Sequence, residues 1–212
     1  MNALLTVFTS AIGKKLLMAV TGFCFCGFLA VHLIGNLTVY GGSDFFNAYV
    51  EHLHALGVLV NVAELGLLAL AIVHVCTGTV LFYQNLRSRP VRYAAYKSAG
   101  GRTIGSATMP YTGFFILIFL GFHLAGFHFA DHAGRTVYDI MRQAFASPLT
   151  AVFYVAAVAL VAVHISHGFW SLFQTLGINH AKYMPLIMKG GVAFAVIVGL
   201  GFGLIPVYLL MS

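Results

Sequence analysis

Four histidines, His32, His74, His123 and His164, stand inside long apolar stretches of this chain. An imidazole in hydrocarbon is costly unless its nitrogens are used. Axial ligation of an iron porphyrin uses them: two imidazoles bind the iron from opposite faces, and the apolar ring fills the space between helices. Each ligand's second nitrogen then needs a carbonyl or hydroxyl partner. Thr21, Thr77, Thr112 and Ser166 are the nearby polar candidates. A lone intramembrane histidine can instead be a gate, a proton relay or a helix–helix contact, so the argument for haem rests on the four together. Zinc is disfavoured, because the deep positions lack a third cysteine or carboxylate at ligand spacing.

An internal repeat relates the four. Thr21-Gly22-Phe23 recurs as Thr112-Gly113-Phe114, and Phe28-Leu29-x-x-His32-Leu33-x-Gly35 as Phe119-Leu120-x-x-His123-Leu124-x-Gly126, all at an offset of 91 residues. At an offset of 90, His74, Gly78 and Gln84 match His164, Gly168 and Gln174. The first two apolar stretches therefore read as a pair reused for the third and fourth, in the same orientation. The glycines give a flat macrocycle room near the backbone, or let helices approach closely.

The elements that must hold these residues follow from composition. Of 212 residues, 60% are hydrophobic and only 8% charged, against about 25% charged in an ordinary soluble domain. This excludes a conventional soluble enzyme, a disordered chain and a nucleic-acid-binding domain. The expected fold is an all-α polytopic membrane protein, a single domain over 1–212. Five transmembrane helices are expected near 15–40, 57–84, 109–131, 148–173 and 187–211, each long enough for a bilayer core of about 30 Å. Four of them would form the haem-binding bundle. Pro110 and Pro148 suit helix starts, Gly41-Gly42 ends the first span, and Pro206 falls late in the fifth.

Helical rise turns position into depth. At about 1.5 Å per residue, His32 and His123 lie roughly 12–13 Å below the outer ends of their spans, and His74 and His164 roughly 25 Å below theirs. The histidines thus form an outer pair and an inner pair. Sidedness comes from the basic residues. Lys14, Lys15, Arg87, Arg89, Arg92, Lys97, Arg102, Lys182 and Lys189 gather on one side; the other has Arg135 and Arg142 with Asp44, Glu51, Asp131 and Asp139. The N-terminus, 85–108 and 174–186 are therefore expected in the cytoplasm and the C-terminus outside, with no cleavable signal peptide. Residues 41–56 read as a short interfacial helix carrying Glu51, His52 and His54, and 135–146 as a second. Cys24, Cys26 and Cys76 read as small core residues rather than disulfides.

With these motifs in hand, the chain resembles the cytochrome b membrane anchor of succinate:quinone and quinol:fumarate oxidoreductases, in its single-subunit, five-helix, di-haem form used with menaquinone. HLIGNL at 32–37, HVCTG at 74–78, FLGFHLAGFHF at 119–129 and HISHGFWSLFQTLG at 164–177 carry the resemblance, which covers roughly 10–211. It implies two haem b groups: His32 and His123 as iron ligands of the outer one, His74 and His164 of the inner one. It prefers His164 to His167 as the residue four before Gly168. His128, five residues past His123, is expected to face elsewhere, nearer the surface.

The resemblance also implies partners. An FAD-containing flavoprotein and an iron–sulfur subunit would sit on the cytoplasmic face and carry out the dicarboxylate chemistry. This chain, without a Rossmann glycine pattern or an iron–sulfur cysteine run, would pass electrons between that assembly and menaquinone or menaquinol. Membrane lipid surrounds it, a dimer of the complex is compatible, and the compartment implied is a bacterial inner membrane. Arg87, Arg89, Arg92 and Arg102 set topology or, with Lys97 and Lys182, meet haem propionates or the partner. Tyr83, Trp170 and Gln174 lie near that interface.

Quinol oxidation releases two protons and needs a base. Glu51, with Asn47, His52 and His54 beside it, is the first candidate. Glu64, inside the second span, is the other, as a proton path or a helix contact. Some fumarate reductases of this type carry a glutamate two residues before the fourth-span ligand; here that position is Ala162. Two rival functions stay open: a di-haem cytochrome b serving a hydrogenase or formate dehydrogenase, and a haem-free proton channel or transporter.

Overall fold

The computed structural model of the chain describes residues 10–88 and 103–212. Arg89, Arg92, Lys97 and Arg102 lie outside the described residues.

The helices are α1 (Ala11–Leu37), α2 (Ser43–Ala55), α3 (Val58–Arg87), α4 (Ile104–His123), α5 (Val137–Phe145), α6 (Pro148–Thr175) and α7 (Met184–Met211). A 3₁₀ turn, Thr38–Gly41, prolongs α1, and a π turn, Leu124–His128, prolongs α4. Five of these helices are long and apolar enough to cross a bilayer. The chain is an all-α, multi-span membrane protein.

Local chemistry sets the boundaries. Ser10 caps α1 by accepting from the Gly13 amide at 3.0 Å. Gly42, at φ 89°, makes the corner between the 3₁₀ turn and α2. Pro148 occupies the first turn of α6. The third span departs from expectation: α4 begins at Ile104, so Pro110 lies inside it. A capping box explains the longer start, since the Ser106 amide donates to Thr103 Oγ1 at 3.1 Å and the Thr103 amide to Ser106 Oγ at 2.9 Å. A second capping box starts α5. The Thr136 hydroxyl and amide donate to Asp139 Oδ2 at 2.7 and 3.0 Å and hold its carboxyl below the usual carboxylate range.

α6 is the central helix. It packs on α7, α4 and α1, while α1 also holds α3. α3 and α4 meet only lightly. Along α3 only Thr77 is buried. α7 is an integral packing element, seated on α6, α1 and α5. The two short helices cap one end of the bundle, where Val39, Phe46, Met141, Phe145, Tyr154, Ile205 and Leu209 form the main core. Asn47 joins the caps by accepting from the Tyr138 amide at 3.3 Å.

The opposite end gathers basic residues. Lys14 Nζ donates to Gln84 Oε1 at 2.8 Å, which ties the start of α1 to the end of α3. Lys15 lines a groove with Ile12, Leu16, Gln174, Thr175 and Leu176. The three cysteines are free thiols, as expected, but Cys24 and Cys76 are exposed and only Cys26 is half-buried. The outer faces of α1 and α3 meet lipid rather than a protein core, so two of the three are not core residues.

Candidate functional site

The inner histidines are held in the same way in both halves of the repeat. Thr21 on α1 places Oγ1 2.8 Å from His74 Nδ1 on α3. Thr112 on α4 places Oγ1 3.0 Å from His164 Nδ1 on α6. Both threonines are buried, at 4% exposure, and with Thr77 they are the buried polar residues among those described. Each hydroxyl also reaches back into its own helix: Thr21 to the Leu17 carbonyl at 2.7 Å, Thr112 to the Thr108 carbonyl at 3.1 Å. A hydroxyl has one hydrogen. With it given to the backbone, the oxygen accepts from the imidazole, so Nδ1 carries the hydrogen and Nε2 keeps a free lone pair. The next residue in each case is glycine. A Cβ on Gly22 would lie 3.7 Å from His74 Cε1, and one on Gly113 3.4 Å from His164 Cε1. Each glycine lies beside the edge of a histidine from the neighbouring helix, at ordinary contact distance.

The outer pair is built differently. The His32 and His123 ring centres are 6.0 Å apart with planes at 90°. With a metal–nitrogen bond of about 2 Å and roughly 1 Å from nitrogen to ring centre, two imidazoles across one ion have centres about 6 Å apart. Phe28 stacks on His32 at 5.1 Å and 17°, and Phe119 lies 5.7 Å from His123. These phenylalanines stand four residues before their histidines, so the sequence repeat is also a structural one. Phe202 from α7 reaches His32, and Phe127 and Tyr154 reach His123. Nδ1 of His123 is buried with no hydrogen-bond partner among the described residues, as is Nδ1 of His167. Around His32, Asn36 Nδ2 is 3.4 Å from Nδ1 and donates to the backbone carbonyl of His32 at 2.8 Å.

Among the described residues no three His, Cys, Asp or Glu side chains converge as a metal cage. An axial pair on a porphyrin iron needs only two. The Thr–Nδ1 contacts of the inner pair and the 6.0 Å ring spacing of the outer pair fit that group.

The remaining candidates separate. His167 Nδ1 is buried and unpartnered, its ring edge-on to Trp170 at 4.7 Å. Ser166 donates instead to the Val163 carbonyl, and Thr77 makes no hydrogen bond to a histidine among the described residues. Glu51 and His54 lie on exposed faces of α2, and His52 donates to the Ala48 carbonyl at 2.6 Å. Glu64 has a partner: its Oε1 is 3.8 Å from His128 Nδ1, with both side chains about half exposed. His128 is thus near the surface as expected, and it faces α3. Ala162 faces α7, where its methyl would lie 3.1 Å from a Cβ on Gly199, so the close approach of two helices takes the space a glutamate would fill.

Sequence reasoning missed the aromatic enclosure from α6 and α7. Phe28 and Phe119 could have been found from the repeat; Tyr154 and Phe202 have no counterpart in it. No family model, curated protein or solved structure matches this chain.

Proposed function

We propose that this chain is the di-haem cytochrome b anchor of a succinate:quinone or quinol:fumarate oxidoreductase, with His32 and His123 holding an outer haem b and His74 and His164 an inner one. The observation that carries the proposal is the doubled Thr–His hydrogen bond, Thr21–His74 and Thr112–His164, which leaves one nitrogen of each deep imidazole available. A proton relay would use both nitrogens in turn; a ligand uses one and fixes the other.

Bound iron porphyrin supplies reversible one-electron transfer. The chain's own residues orient the ligands, exclude water with Phe28, Phe119, Tyr154 and Phe202, and handle protons. At the outer level Glu64 is the better placed carboxylate, inside the span beside His128, while Glu51 stands on the exposed face of α2. A hydroquinone entering from lipid between α3 and α4 would give its protons there. The basic end faces the cytoplasm and meets the flavoprotein and iron–sulfur partners.

The test is haem quantitation with a reduced-minus-oxidised spectrum of the chain purified from its native membrane. Two low-spin b haems per chain are expected, together with an FAD-bearing partner. No haem ends the redox reading. A nickel or molybdenum partner keeps the haems and transfers the chain to the hydrogenase or formate dehydrogenase class.

A further inference from the structure

The inner and outer histidine pairs differ in one respect that has a chemical consequence. His74 and His164 each place Nδ1 within hydrogen-bond distance of the hydroxyl of a buried threonine on a neighbouring helix. His123 Nδ1 has no partner among the described residues, and His32 Nδ1 lies 3.4 Å from an amide nitrogen, Asn36 Nδ2, which can only donate. We infer that Thr21-Gly22 and Thr112-Gly113 are two copies of a cross-helix clamp that sets the tautomer and plane of the inner imidazoles and makes their Nε2 atoms stronger electron donors than those of the outer pair.

Three observations support the clamp. Each threonine hydroxyl also lies within hydrogen-bond distance of a carbonyl of its own helix, Leu17 or Thr108, which can take its one hydrogen and leave the oxygen to accept from the imidazole. The following glycine in each copy lies beside the same ring edge, where a Cβ would stand at ordinary contact distance, 3.7 and 3.4 Å, from Cε1. The same dipeptide recurs at the repeat offset, once on α1 against α3 and once on α4 against α6. One copy alone would be an ordinary buried hydrogen bond. Two, on the matched histidines of both halves, make a construction.

An imidazole that donates through Nδ1 pushes electron density to Nε2. A metal bound there is stabilised in its oxidised state, so its midpoint potential falls. Thr21 and Thr112 are positioning residues in this scheme and touch no substrate. The redox consequence rests on the di-haem reading; the tautomer does not.

The experiment compares Thr21→Val, Thr112→Val, Thr21→Ser and Thr112→Ser in the purified complex by redox titration and low-temperature electron paramagnetic resonance, with the outer haem as internal control. Either valine variant should raise the midpoint of one haem, alter that haem's low-spin signal and weaken its retention by about 10–100-fold, leaving the other haem unmoved. The serine variants, which keep the hydroxyl, should restore the wild-type potential. Valine variants with two unshifted haems, or serine variants that shift as far as valine, overturn the inference. If the preparation holds no haem, the di-haem reading fails by itself. Nitrogen-15 spectra of the histidines then decide the clamp: Nδ1–H at His74 and His164, lost on valine substitution, sustains it, and Nε2–H overturns it.

Discussion

At the scale of single residues, the second nitrogen distinguishes His164 from His167. His164 and His167 lie one helical turn apart on α6, and spacing alone makes either a ligand. Only His164 meets Thr112; His167 turns its ring edge to Trp170 and packs its Cβ near Gly105. Replacing His74 or His164 by alanine should therefore reduce the chain from two haems to one, whereas His167→Ala should keep two. Pyridine haemochrome quantitation reads the difference, and loss of a haem in His167→Ala would reassign the inner ligand. The threonines could be guessed from the TG dipeptides of the repeat. Choosing them over Thr77 and Ser166 needed the helix rotations, because all four stand close to a histidine in sequence or depth.

Among the elements, α4 shows two features that periodicity hides. Its start is carried six residues before Pro110 by the Thr103 capping box, and its end widens into a π turn, where the Phe129 amide donates to the Leu124 carbonyl at 2.8 Å. In an α-helix, position 128 would sit about 140° round from position 123. The π turn spends an extra residue on its i→i+5 bond and carries His128 round to Glu64 on α3. The contact of α4 with α6 is close at Gly105, where a Cβ would come 2.8 Å from His167 Cβ and 3.0 Å from the Val163 carbonyl. A backbone oxygen in a helix cannot step aside cheaply, so Gly105→Ala should destabilise the bundle by about 1–3 kcal/mol. Gly121→Ala, with nothing within 4 Å of its Cβ, should be harmless. Thermal unfolding in detergent compares them; equal midpoints would show that α4 and α6 have slack at this contact.

For the whole molecule, the positive end and the capped end define the orientation. Lys14, Lys15, Arg87 and Lys182 belong to the end opposite α2 and α5, and the proposed orientation, by the positive-inside rule, has that end in the cytoplasm. In a chain with its three cysteines replaced, a cysteine at Ser88 should react with an impermeant thiol reagent only after the cytoplasmic face is opened. One at His132 should react from outside. The reverse pattern would invert the chain and remove the cytoplasmic partners from contact with the inner pair. The light packing of α3 against α4 is also a property of the whole assembly, and the Glu64–His128 pair joins α3 to the π turn that follows α4.

Composition and period determined by themselves that this chain has five apolar spans and two short helices between them, with four histidines inside the spans. Those are one-dimensional quantities, a count of apolar residues and a rise per residue, and burial in lipid enforces them directly. Tertiary structure decided which atoms meet. Thr21 binding His74 across two helices, Phe202 from α7 enclosing His32, Gly199 opposing Ala162 and His128 reaching Glu64 depend on helix rotation, crossing and one π turn. In lipid the outward faces are as apolar as the inward ones, so the hydrophobic pattern carries little of that rotation. Small residues and hydrogen bonds between helices carry it instead.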